Sequence, residues 1–151
     1  MTLPRESIED LRRRVQGQIR RLEPVEALAV AADGALIVDL RSYDERDRSG
    51  VIPGSVHIPR SVLEWRLDPD SPYRNSAVAD LERRLILVCA DGYSSSLAVT
   101  SLERLGFVGV GDVVGGFNGW AAAGLETCPA PPRPEGLAGM SPPAGRGADG
   151  L

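Results

Sequence analysis

Apolar positions along the chain recur with two periods, and the switch between them divides it into elements. Leu85-Ile86-Leu87-Val88 is an unbroken apolar run, the pattern of a strand buried on both faces of a parallel sheet. Ala35-Leu36-Ile37-Val38-Asp39-Leu40-Arg41 reads as a second strand and Asp112-Val113-Val114 as a short last one. Helical spacing appears at Ile8, Leu11, Val15, Ile19 and Leu22, with Ser7 placed as a cap and Asp10 at the capping-box position. The end of that segment, Ile19 to Leu22, also suits a short edge strand. Pro24 is placed to open a helix through Val25, Leu28 and Val30, which Asp33-Gly34 ends. Glu45 falls on a short helical turn. Ser61 is expected to cap a helix carrying Leu63, Trp65 and Leu67, and Leu81 to Arg84 to close another. Leu97, Val99, Leu102 and Leu105 give one more helix, stopped by Gly106. Gly115 to Trp120 turn into a last short helix ending near Gly124. Strands alternating with helices predict an α/β domain with a mostly parallel sheet, in which ligands bind beyond the carboxyl ends of the strands. From Pro129 the chain is Pro-, Gly- and Ala-rich, and residues 129–151 read as a disordered tail.

Cys89 directly follows the apolar run, and Ala90, Asp91, Gly92, Tyr93, Ser94 and Ser95 separate it from the next helical pattern. The thiol therefore stands between a strand end and a helix start, where unpaired N–H groups and the helix dipole favour negative charge. Gly92 permits a tight loop, and the serines add donors. A small buried hydrophobe is the plainer reading of Cys89; the Gly- and Ser-rich loop favours the nucleophile. Asp39 suits a cap for loop N–H groups, and Arg41 a partner for Glu45. His57 fits loop packing beside Ile58-Pro59, with a general base for Cys89 as the alternative. Trp65 and Trp120 read as core residues, Trp65 alternatively as part of the site mouth. Cys128 reads as an incidental exposed thiol, and Arg12 to Arg14 with Arg20 and Arg21 as a solvated face.

Composition narrows the classes. The 151 residues are 42% hydrophobic, enough for one domain with a core, and the net charge of −4 argues against nucleic acid as a partner. All 17 basic residues are Arg. The sequence shows no apolar run of membrane-spanning length and no signal peptide. Two cysteines make no disulfide scaffold, so a reducing cytoplasm is expected; with one His they also make no typical zinc site.

Three stretches together resemble the single-domain rhodanese family of sulfurtransferases. They are Asp39-Leu40-Arg41 with Glu45 and Gly50 to Pro59; Cys89 through Ser95; and Gly115-Gly116-Phe117 with Trp120 and Gly124. The resemblance covers roughly residues 20–127 in order and spacing. It implies a five-stranded parallel sheet flanked by helices on both faces, spanning residues 19–128; the apolar spacing of the first segment makes residues 1–18 an amphipathic helical extension. The resemblance also implies that Cys89 becomes a persulfide, that residues Ala90 to Ser95 cradle its sulfur, and that no cofactor is needed. A sulfane-sulfur donor such as thiosulfate and a thiol or cyanide acceptor follow, with a protein thiol as a further acceptor. Two departures stand out. Val51 replaces a His common in the family, and the loop carries Asp91 and no cation, leaving Arg60 and Arg66 as the candidates for rim cations that attract an anionic donor. The alternative is a non-catalytic binding or sulfur-carrier module. Cysteine phosphatases need an Arg six residues after the Cys; here Ser95 stands there, preceded by Ser94, so bidentate phosphate recognition is missing.

Overall fold

The computed structural model describes residues 2–134. Its elements run α1 (Ile8–Gln16), β1 (Arg20–Leu22), α2 (Pro24–Ala32), β2 (Leu36–Asp39), α3 (Tyr43–Ser49), β3 (Val56–His57), α4 (Leu63–Leu67), β4 (Leu85–Val88), α5 (Ser94–Arg104), β5 (Val110–Val113) and α6 (Gly116–Ala122). The five strands form one parallel sheet in the order β1-β5-β4-β2-β3. The apolar run of β4 is buried at every position because it lies at the centre of this sheet. Leu85 and Leu87 point to one face, packing with Leu63, Leu67, Val99 and Leu102 of α4 and α5. Ile86 and Val88 point to the other, packing with Ala27 of α2 and Phe117 and Trp120 of α6. Helices thus cover both faces.

Local chemistry sets most of the boundaries. Ser7 caps α1, its Oγ accepting from the Asp10 N–H at 3.0 Å. The helix stops at Gly17, so Arg20 to Leu22 take the edge-strand alternative, and β1 pairs with β5. Pro24 opens α2 behind a Glu23–Glu26 capping box. A second box joins Ser42 and Glu45 at the start of α3.

Several sequence expectations change. Glu45 is held by its capping box, and Arg41 pairs with Asp39 instead. Ser61 lies inside a 3-10 turn, Arg60–Val62, and does not cap α4. Residues 81–84 form turns: the Asp80 carboxylate accepts from the Glu82 N–H and so competes with a helical ladder. Strand β5 begins at Val110, before the expected Asp112; Gly111 hid it, although a Cβ there would stand 2.8 Å from the Arg20 carbonyl oxygen of β1. Trp120 is a core residue whose Nε1 donates to the Glu126 carbonyl, whereas Trp65 is 50% exposed, in a groove with Leu105 at the end of α5 remote from Cys89.

Cys128 is half-buried, its backbone in an isolated antiparallel bridge with Val51. Of the stretch read as a disordered tail, residues 129–134 are described, without helix or strand. There Arg133 pairs with Asp44 and Asp47. Residues 135–151 lie outside the described residues. Among the described residues no helix is long and apolar enough to cross a membrane.

Candidate active site

Cys89 follows β4 directly and is 6% exposed. Its Sγ accepts from the Gly92 N–H at 3.1 Å and the Ser95 N–H at 3.4 Å, and lies 3.2 Å from Ser95 Oγ. The loop can wrap the sulfur because Gly92 adopts φ +85, where side chains are disfavoured. A Cβ at Gly92 would also meet the Gly115 nitrogen at 2.9 Å. The far side of the loop is braced by the start of α6. The Phe117 N–H donates to the Cys89 carbonyl at 2.8 Å and the Asn118 N–H to the Ala90 carbonyl at 3.0 Å. Gly116, at φ +59, lets the two segments meet; a Cβ there would collide with the Cys89 carbonyl oxygen.

The other loop residues fall at the rim. Asp91 is exposed, and its carboxylate accepts from Asn118 Nδ2 at 2.8 Å. Tyr93 is exposed, with the Arg12 guanidinium over its ring, and Ser94 starts α5 on the exposed side. Arg60 and Arg66 are engaged on α4 and the turn before it. Arg60 pairs with Glu64, which also accepts from Ser101 Oγ. Arg66 is buried, donates to the Tyr73 carbonyl, and has its pKa pulled below the ordinary guanidinium value by that burial.

A guanidinium that reaches the loop backbone is that of Arg21 of β1. Its Nη2 donates to the Gly92 carbonyl at 2.7 Å, and Gln16 Nε2 approaches the same oxygen. Arg21 also grips the fully buried Asp112 of β5 from two nitrogens, at 2.9 and 3.1 Å. Asp112 in turn accepts from Ser95 Oγ at 2.7 Å. Sequence reasoning left Arg21 on a solvated face and gave Asp112 no role. The signal that links them is register, Arg21 opposite Asp112 in the β1–β5 pair, which appears only once the edge strand is placed.

Beyond β2 a second buried network holds the neighbouring loop. Asp39 accepts from the Arg41 N–H and guanidinium and from Arg46 Nε, while Arg41 also donates to the Gly50 carbonyl and lies 3.9 Å over the Phe117 ring. His57 packs edge-on to Tyr43, and its Nε2 lies 2.7 Å from the Arg41 carbonyl. Burial lowers the His57 pKa, partly offset by that hydrogen bond.

Fold and site define an α/β enzyme class built on a cysteine cradled at the carboxyl end of a central parallel strand. A sequence profile of the rhodanese-like domain matches residues 23–123. The thiosulfate sulfurtransferase GlpE of Pseudomonas savastanoi pv. phaseolicola is 37% identical over 105 residues, covering 70% of this chain and 90% of that protein. A Rhodopseudomonas palustris structure, of unknown function and described as a possible tyrosine phosphatase, superposes with a TM-score of 0.75 at 30% identity, covering 83% of this chain and 99% of that one. A thiosulfate sulfurtransferase structure from Pseudomonas aeruginosa gives 0.64 at 26% identity, covering 78% of this chain and 22% of that one. The chain belongs to the rhodanese-like domain family, and it is a sulfurtransferase.

Proposed function

We propose that the chain moves sulfane sulfur through a persulfide on Cys89. The observation that carries this reading is the sulfur cradle itself. Two backbone N–H groups, from Gly92 and Ser95, converge on a nearly enclosed Sγ, an arrangement suited to negative charge on sulfur. The Cys89 thiolate attacks the sulfane sulfur of a donor. A Cys89 Sγ–S bond forms, the donor's own bond to that sulfur breaks, and the leaving group departs with the electron pair, as sulfite if the donor is thiosulfate. A thiol or cyanide acceptor, a protein thiol included, then attacks the outer sulfur and returns the thiolate. The surrounding loop residues Ala90 to Ser95 hold the donor. Cys89 and Cys128 are both free thiols, consistent with work in a reducing cytoplasm.

The loop offers no arginine for bidentate phosphate binding, since Ser95 fills the position six residues after Cys89, so phosphate ester hydrolysis is not supported. The cation-free loop favours one second reading, a carrier that loads sulfur once and passes it to a bound enzyme. Incubation with several sulfur donors, followed by intact mass, tests the main reading. The wild type and Cys128→Ser are expected to gain the mass of one sulfur atom and to turn over with cyanide, and Cys89→Ser to do neither. Loading without turnover selects the carrier. Activity kept in Cys89→Ser and lost in Cys128→Ser overturns both.

A further inference from the structure

The hydrogen-bond chain behind Cys89 has a fixed direction. Asp112 is buried and clamped by Arg21, and a carboxylate only accepts, so the Ser95 hydroxyl donates to it at 2.7 Å. The Ser95 oxygen then turns a lone pair towards the sulfur 3.2 Å away, and the thiol S–H donates into it. In this arrangement the hydroxyl serves a neutral thiol and gives no hydrogen to a thiolate. The reaction needs the opposite.

We propose that the Ser95 hydroxyl is a two-position donor whose resting place is set by Asp112 and Arg21, which act as positioning residues. When the thiol proton leaves to water at the loop mouth, the Ser95 proton stays on its oxygen and rotates from Asp112 to the sulfur. Asp112 is not left bare by this movement, because Arg21 still donates to both its oxygens. Arg21 also holds the Gly92 carbonyl, tying the same clamp to the loop residue whose N–H touches Sγ. The clamp therefore sets how readily the hydroxyl changes sides. It rests on the reading of Cys89 as the sulfur carrier and adds what tunes that sulfur. The other groups around the loop have partners of their own: Arg12 with Glu9 and Tyr93, Asp91 with Asn118, and Arg41 with Asp39 and the face of Phe117.

Alkylation of Cys89 as a function of pH tests this in a double-mutant cycle on the full chain, in a Cys128→Ser background so that one thiol reports. Alkylation needs no sulfur donor, so a failure of the cycle is distinct from a failure of sulfur transfer. Asp112→Asn turns an acceptor into an amide that can donate to Ser95 Oγ, freeing the hydroxyl for the sulfur. The pH midpoint of alkylation is expected to fall, with the rate at neutral pH rising about tenfold. In a Ser95→Ala background the same change is expected to alter the rate by less than about twofold. Arg21→Gln, at a partly exposed position, covers the case in which Asp112→Asn does not fold. It leaves Asp112 dependent on Ser95 and is expected to raise the midpoint only when Ser95 is present. An equal shift with Ser95 in place and in the Ser95→Ala background would show Asp112 and Arg21 acting as charges through space, and would overturn the proposal. So would no shift in either.

Discussion

At the scale of single residues, the side chains around Cys89 act through charge and hydrogen-bond direction. Asp91 is exposed beside the cradle and held by Asn118, so a dianionic donor meets a carboxylate on approach. Asp91→Asn, which keeps a bond to Asn118, is expected to raise thiosulfate:cyanide transfer about two- to fivefold, mostly through a lower KM. Asp91→Arg should raise it further, and added salt should narrow the differences. Steady-state kinetics of the three proteins check this, and an unchanged or lower kcat/KM in a folded Asp91→Arg refutes it. His57 gives a pH dependence of stability. Its folded pKa lies below the ordinary value, so on acidification the unfolded chain binds the proton first. The stabilisation is therefore complete above about pH 7 and declines as pH falls through about 6.5 towards the folded value. Denaturant melts should show that decline in the wild type and less of it in His57→Gln. Cys89, Gly92 and Ser95 were legible in the sequence because they lie in one short stretch whose order states its chemistry. Arg21 and Asp112 were not, because 91 positions separate them and a single chain does not announce which strands are neighbours.

At the scale of elements, the cradle is a loop gripped from two sides. Helix α5 supplies Ser95 from its first turn, and the start of α6 ties down the carbonyls of Cys89 and Ala90. Gly116 is the point of closest approach, where a Cβ would stand 2.7 Å from the Ala90 carbonyl oxygen. Gly116→Ala is expected to cost about 2–4 kcal/mol of stability and to slow sulfur loading, because relieving the collision moves the loop. An unchanged urea midpoint would mean that α6 does not brace the loop. Elements with strong patterns were legible: β2, β4, α1, α2 and α5. Those whose patterns were interrupted were not. Gly111 masks the start of β5, although its missing side chain is what lets the edge strand approach, and the Asp80 carboxylate diverts residues 81–84 into turns. Strand order was also out of reach, since periodicity reports burial and not neighbours.

At the scale of the whole molecule, the sheet carries the site at one end and the chain returns to close its flank. Cys128 exchanges backbone hydrogen bonds with Val51 at 2.8 and 2.9 Å, and Arg133 reaches Asp44 and Asp47 beside the Tyr43 ring. Truncation after Thr127 removes both contacts and is expected to lower stability by about 1–2 kcal/mol. Truncation after Pro134 keeps them and should leave the melting temperature within about 2 °C of the full chain, because the residues removed carry few large apolar side chains. Equal losses from the two truncations would contradict this. The pairing of β1 with β5 has a further consequence, in time. Parallel neighbours so far apart in sequence close late, because a long loop must be ordered before any contact rewards it. The Arg21–Asp112 clamp and the hydroxyl it steers form only at that closure. In a chain emerging from the ribosome the Gly92 and Ser95 N–H groups are expected to meet Cys89 from its own loop first, and the Ser95 hydroxyl to be steered only once β1 and β5 have paired.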